Sequence, residues 1–207
     1  FVPFRIGTLM DRTPVNIGAL IGSRICHDLI SPIGAINNGL ELLGMTGRTE
    51  GPEMDLIHSS VSSASARIRF FRIAFGAAGD HMMSRDEIRS ILADMTDGGR
   101  LTMEWSITPP QRRRDVRLAF LALQCMESAL AYGGRIDITI KDGRWSLVGT
   151  ADKLVMNDLL WAILATRDAP DNLEPSQVQF ALLPLVANDE GRRIRVDAAP
   201  TELRLNF

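Results

Sequence analysis

Lysine is nearly missing from this 207-residue chain, which carries it only at Lys141 and Lys153. Positive charge is otherwise arginine, and 23 basic against 25 acidic side chains leave a net charge of −2. Without an excess of positive charge there is no electrostatic basis for nucleic acid or an anionic lipid surface as the main partner. Cysteine is scarce too. Cys26 and Cys125 stand alone, with neither zinc-site spacing nor the number a disulfide framework needs, and point to a reducing, cytoplasmic setting. No apolar run reaches about 18 residues, so no membrane span is expected. The opening "FVPFRIGTLMDRTP" lacks a basic segment leading into an apolar block and does not read as a signal peptide. No Gly-x-Gly occurs anywhere.

What is present is ordinary globular material: 45% apolar and 23% charged residues, enough for one large or two small domains. Residues 15–44 carry helical spacing. At about 100° per residue, Ile21, Ile25, Leu29, Pro32, Ile36 and Leu43 form one apolar stripe. His27 falls about 160° from Ile25, on the opposite face, among Ser23, Ser31, Gly34, Asn38 and Glu41. It is therefore presented outward on ground low enough for another protein to approach. Pro32 is costly in a helix interior, about 3 kcal/mol, and packing of the apolar stripe has to offset it.

"GMTGRTEGPE", 44–53, is a break. A second helix is expected over about 53–76, with Met54, Ile57, Val61, Ala64, Ile68, Phe71 and Phe75 in a strict heptad seam. Two helices with one stripe each do not enclose a core. A second copy would complete a four-helix bundle, with cover from the rest of the chain as the competing solution.

The remainder alternates. "SRDE" at 84–87 is a capping box, "LTMEWSI" a strand, and 113–132 a long apolar helix. The segment 135–150 is a hairpin around Asp142-Gly143. Helices are expected at about 152–165 and 175–188, and two strands close the chain. The expected class is α+β: a helical hairpin, 1–80, followed by a mixed sheet with helices on one face, 81–207. The arginines of "PPQRRRD", 109–115, read as a solvated face, with docking of an acidic partner as the alternative.

His27 has few other uses. Its i+3 and i+4 neighbours, Ile30 and Ser31, are poor metal ligands, and adjacent Cys26 points about 100° away. His58 and His81 read as ordinary polar residues. A phosphoryl carrier needs little more than an exposed neutral imidazole and an adjacent acid, Asp28, to manage the proton on the other ring nitrogen. Arg24, about 60° round from His27, is placed to approach phosphoryl oxygens, and Ser31 to hydrogen-bond near the reacting group. Ile30, Gly34 and Asn38 would form part of a partner's footprint.

"HDLISPI", 27–33, resembles the phosphoacceptor box of histidine-kinase dimerisation domains: His, acid, Leu, a hydroxyl residue before Pro, then an aliphatic. Together with "GAINNGLELL", 34–43, and "ARIRFFRIAFGAAG", 66–79, it resembles the ChpT family of bacterial histidine phosphotransferases. That resemblance implies a cytoplasmic homodimer with a kinase-like bundle and a degenerate ATPase-like second domain, phosphorylated on the histidine matching His27. It implies receiver-domain partners: a CckA-like hybrid kinase as donor, and CtrA-like and CpdR-like regulators as acceptors. Mg²⁺ would belong to the receiver, and no cofactor to this chain. Histidine kinases hold ATP with metal-binding asparagines and glycine-rich turns. Here Gln124 and Ser128 occupy the asparagine places in "LQCMESALAYGG", and "GTADK" follows the 144–149 strand. No ATP binding is expected. An autokinase with unusual motifs and a non-catalytic receiver-binding scaffold are the alternatives.

Overall fold

The computed structural model describes residues 16–46, 51–77 and 79–207. The opening segment read above as no signal peptide and the centre of the 44–53 break lie outside them.

Helix α1, Ile17–Thr46, runs through Pro32 without interruption, and α2, Pro52–Ala74, returns alongside it. Pro32 is buried, so its ring fills space between elements while its missing N–H leaves the Asp28 carbonyl without a helical donor. The α2 start matches its chemistry: Pro52 sits at the first turn, where a missing N–H costs nothing, with Glu53 and Asp55 at the positive end of the helix dipole.

After α2 come β1 (Met82–Met83), α3 (Arg85–Thr96), β2 (Leu101–Trp105), β3 (Gln111–Arg112), α4 (Arg113–Ala129), β4 (Gly134–Lys141), β5 (Arg144–Thr150), α5 (Asp158–Thr166), a 3₁₀ turn (Pro175–Gln177), α6 (Val178–Asp189), β6 (Arg195–Ala198) and β7 (Glu202–Asn206). Ser84 caps α3, its side chain accepting from the Glu87 N–H at 3.2 Å. Asp142 and Gly143, at φ 51° and 74°, close the β4–β5 hairpin with both central residues left-handed. One expectation needs correction. The helix placed at 152–165 starts only at Asp158, because Asn157 is its N-cap, accepting from the Leu160 N–H at 3.3 Å; residues 152–157 form no helix.

The main sheet has the order β2-β4-β5-β7-β6, with β2 and β4 parallel and the other pairs antiparallel; β1 and β3 form a separate two-stranded pair. Alternation buries one face: Ile136, Ile138, Trp145, Leu147, Leu203 and Leu205 point into the core. The apolar helices α4 and α6 belong to the same core. Gly149 lets α4 lie close on β5, since a Cβ there would come within 2.9 Å of the Met126 methyl.

The hairpin is built into this core at one end. Phe70 stacks on Phe120 of α4 at 4.5 Å between ring centres, and Phe71, Ile73 and Ala74 are buried with them. Each such ring contributes roughly 1.5–3 kcal/mol through burial. Two of the three arginines of "PPQRRRD", Arg113 and Arg114, are half-buried and not merely solvated, whereas Arg112 is exposed; Arg117 follows one turn later on the same helix. Arg113 donates to the carbonyl of Arg72, Arg117 to that of Ala74 at 3.3 Å, and Arg114 pairs with Asp80 and Glu190. Cationic donors thus meet the last carbonyls of α2, where the helix dipole is negative.

The seam itself is different. The expected heptad seam is split within one chain: Ile57 and Phe71 are buried, but Val61 and Ile68 are 46% and 53% exposed, with Ile33 and Leu40 also open on α1. Cover from within the chain thus reaches some seam positions and leaves others, interleaved along the same helix, open.

Candidate functional site

His27 lies in the first half of α1, and the helix turn decides its environment. The residues a stripe away, Ile21, Ile25, Leu29 and Pro32, are half-buried or buried. The His27 side chain is 80% exposed. Its Nδ1 stands 3.1 Å from Asp28 Oδ1. The other Asp28 oxygen, Oδ2, accepts from Arg24 Nε at 2.6 Å, a pairing one helical turn apart. Asp28 and Arg24 are mostly covered, at 17% and 15% exposure.

Arg24 does not point into open solvent toward an incoming group. Its Nη1 donates to the Ser176 carbonyl at 2.5 Å and lies 3.4 Å from Gln179 Oε1, so it ties α1 to the turn that opens α6. Along α1, Ile30, Ser31 and Asn38 are exposed and Gly34 is half-buried. Ser31 also lines a cleft between α1 and α2, with Ser59, Ser63 and Arg67 on the far side. Cys26 is exposed and His58 and His81 are solvent-facing, none of them part of the cluster.

The pairing of Arg24 with Asp28 was signalled by their i,i+4 spacing. Ser176 and Gln179, more than 150 positions away, carried no such signal. Nor did Glu127 of α4. Loss of surrounding water pushes its carboxyl above the usual range; Arg24 and Arg67 pull it down and Asp28 pushes it further up. Gln124 is buried inside α4 and packs there, whereas Ser128 is exposed and its hydroxyl donates to the Cys125 carbonyl of its own helix at 2.6 Å.

Chemically the arrangement orients an imidazole. A proton on His27 Nδ1 would be donated to Asp28 Oδ1 and would leave the lone pair on Nε2. That is the state a nitrogen nucleophile requires.

A helical hairpin with a solvent-facing histidine, joined to a mixed sheet layer, is the outline of a phosphotransferase of the histidine-carrying class. Comparison with known proteins agrees. The family model described as the histidine phosphotransferase C-terminal domain matches residues 85–202. The protein phosphotransferase ChpT of Brucella abortus (strain 2308) is 32% identical over 199 residues, covering 91% of this chain and 93% of that one. A solved structure of a bacterial phosphotransferase superposes with a TM-score of 0.75 at 30% identity, covering 92% of this chain and 94% of the other. The chain belongs to the histidine phosphotransferase family, and it is a phosphotransferase of the ChpT type. Among its described residues no helix is long and apolar enough to cross a membrane.

Proposed function

We propose that the chain is a relay intermediate in which His27 accepts a phosphoryl group from the aspartyl phosphate of a hybrid-kinase receiver and hands it to the receiver aspartate of a response regulator. One observation carries the reading: an 80% exposed imidazole on the face away from the core, with Nδ1 held at an acid's oxygen. Nε2 attacks phosphorus as the P–O bond to the receiver carboxylate breaks, and that carboxylate leaves with the electron pair. The ring then carries phosphorus on Nε2 and a proton on Nδ1, its positive charge offset by Asp28. In the onward step the acceptor carboxylate attacks and the electron pair returns to Nε2. Mg²⁺ enters with the receiver. Ile30, Ser31, Gly34 and Asn38 form the receiver footprint, and family membership favours CckA-like donors and CtrA-like and CpdR-like acceptors.

The active form is a homodimer. Ile33, Leu40, Val61 and Ile68 leave apolar surface open along the hairpin that a second copy would cover as a four-helix bundle. Residues 1–80 are the transfer and dimerisation unit, and 81–207 the ATPase-like unit. No ATP is used: at the places of the metal-binding asparagines this chain has a buried Gln124 and Ser128, whose hydroxyl is bonded to the Cys125 carbonyl.

The test is labelling from an aspartyl-phosphorylated receiver. Wild type takes up the label and His27→Ala does not. Equal labelling of both would remove the assignment, and tight receiver binding by wild type without any label would make the chain a scaffold. Label from ATP and Mg²⁺ alone would make it an autokinase.

A further inference from the structure

We infer that the turn before α6 is a positioning device for the phosphotransfer histidine, acting through Arg24 on Asp28; the inference rests on the reading of His27 as the phosphoryl carrier. Ser176 and Gln179 belong to the part of the chain that carries no reacting group. Yet the Ser176 carbonyl accepts from two donors, Gln179 Nε2 at 3.0 Å and Arg24 Nη1 at 2.5 Å. Gln179 is 2% exposed, and its bond to Ser176 fixes the amide so that Oε1 faces Arg24. Arg24 is thereby held at its far end, and its Nε locks Asp28 Oδ2 at 2.6 Å.

The consequence falls on the ring. Asp28 is the hydrogen-bonding partner of His27 among the described residues, and the ring is otherwise open to solvent. A short carboxylate on a helix surface has several rotamers. Only with Oδ2 tethered does Oδ1 stay at Nδ1 and keep the proton there, which leaves Nε2 the nucleophile. A guanidinium fork suits this because it serves the carboxylate and the carbonyl at once, which an ammonium does as a single point. Glu127 is electrostatically coupled to Arg24 and Asp28, and also to Arg67. The sheet-bearing part of the chain thus contributes to the reaction without touching the phosphoryl group: Gln179, Ser176 and Arg24 are positioning residues.

The experiment uses the full chain with ¹⁵N-labelled histidine. Long-range ¹H–¹⁵N correlation reads which nitrogen of His27 bears the proton at mildly alkaline pH, and a single-turnover assay reads transfer from an aspartyl-phosphorylated receiver domain. Wild type is expected as the Nδ1–H tautomer. Arg24→Gln and Gln179→Leu are expected to move the ring toward Nε2–H and to slow transfer by roughly tenfold or more. A wild-type ring in the Nε2–H form overturns the inference without requiring any variant to fold. So does a variant that is slow with an unchanged tautomer, or one that changes tautomer at the wild-type rate. His27→Ala is run alongside. If it abolishes labelling while the other variants behave as wild type, the positioning inference alone falls; if it labels like wild type, the functional reading falls first.

Discussion

Gly39 of α1 lies against Ile57 of α2 so closely that a Cβ on the glycine would stand 2.5 Å from Ile57 Cγ1. The hairpin closes at this point because one helix has no side chain there. Elsewhere in an exposed helix, Gly→Ala adds about 1 kcal/mol of stability. Here the sign reverses. Gly39→Ala is expected to destabilise by about 1–3 kcal/mol through overpacking, read as a lower urea midpoint. A stability gain would contradict the packing described.

The anchoring of α2 predicts a second loss. Arg117 donates to the Ala74 carbonyl, and burial, with Arg113 nearby, pulls its pKa down while leaving it charged at working pH. Arg117→Met keeps the aliphatic bulk and removes the donor. The expected cost is about 1–3 kcal/mol in chemical denaturation, since a part-buried carbonyl loses its partner.

Glu127 predicts a pH effect. Its carboxyl is raised in the folded chain, chiefly by loss of water around it, although the residue as a whole is exposed, so solvent screening keeps the effect on stability small. Between the ordinary carboxylate value of about 4.3 and that raised value, the folded state keeps a proton the unfolded chain has released. Stability contributed by this group is therefore full below the ordinary value and lost as pH rises through the raised one. Melting temperatures of wild type and Glu127→Gln measured across pH 4 to 8 should diverge in that direction, with wild type losing ground as pH rises. Parallel curves would contradict it.

The open apolar seam predicts an assembly. Val61→Glu and Ile68→Glu each place two charges in the proposed bundle, one per copy, and are expected to weaken association by at least about a hundredfold. Light scattering should read twice the chain mass for wild type and the single mass for the variants, with helical circular dichroism unchanged. A wild-type monomer would remove the dimer.

Much of this was legible in sequence because it is local. Asp142-Gly143, the Ser84 cap and the side of α1 on which His27 falls follow from one turn or one helical period. The parts that were not legible depend on distant chain. The heptad of α2 shows seven equivalent positions, but Phe71 is covered by the sheet-side core while Val61 and Ile68 are not. Arg113, one of three arginines in a row, looks solvated until α2 ends beside it with a carbonyl to satisfy. Arg24 sits one turn from His27 on any wheel, yet its direction is set by Ser176.

The proposed reaction turns on one nitrogen atom, Nε2 of His27. After brief mixing with an aspartyl-phosphorylated receiver, the chain should carry acid-labile, base-stable phosphate. Neutral-pH peptide mapping with ³¹P NMR should place it on Nε2 of His27. Phosphate on any other residue, or none on a chain that binds the receiver, would contradict the account.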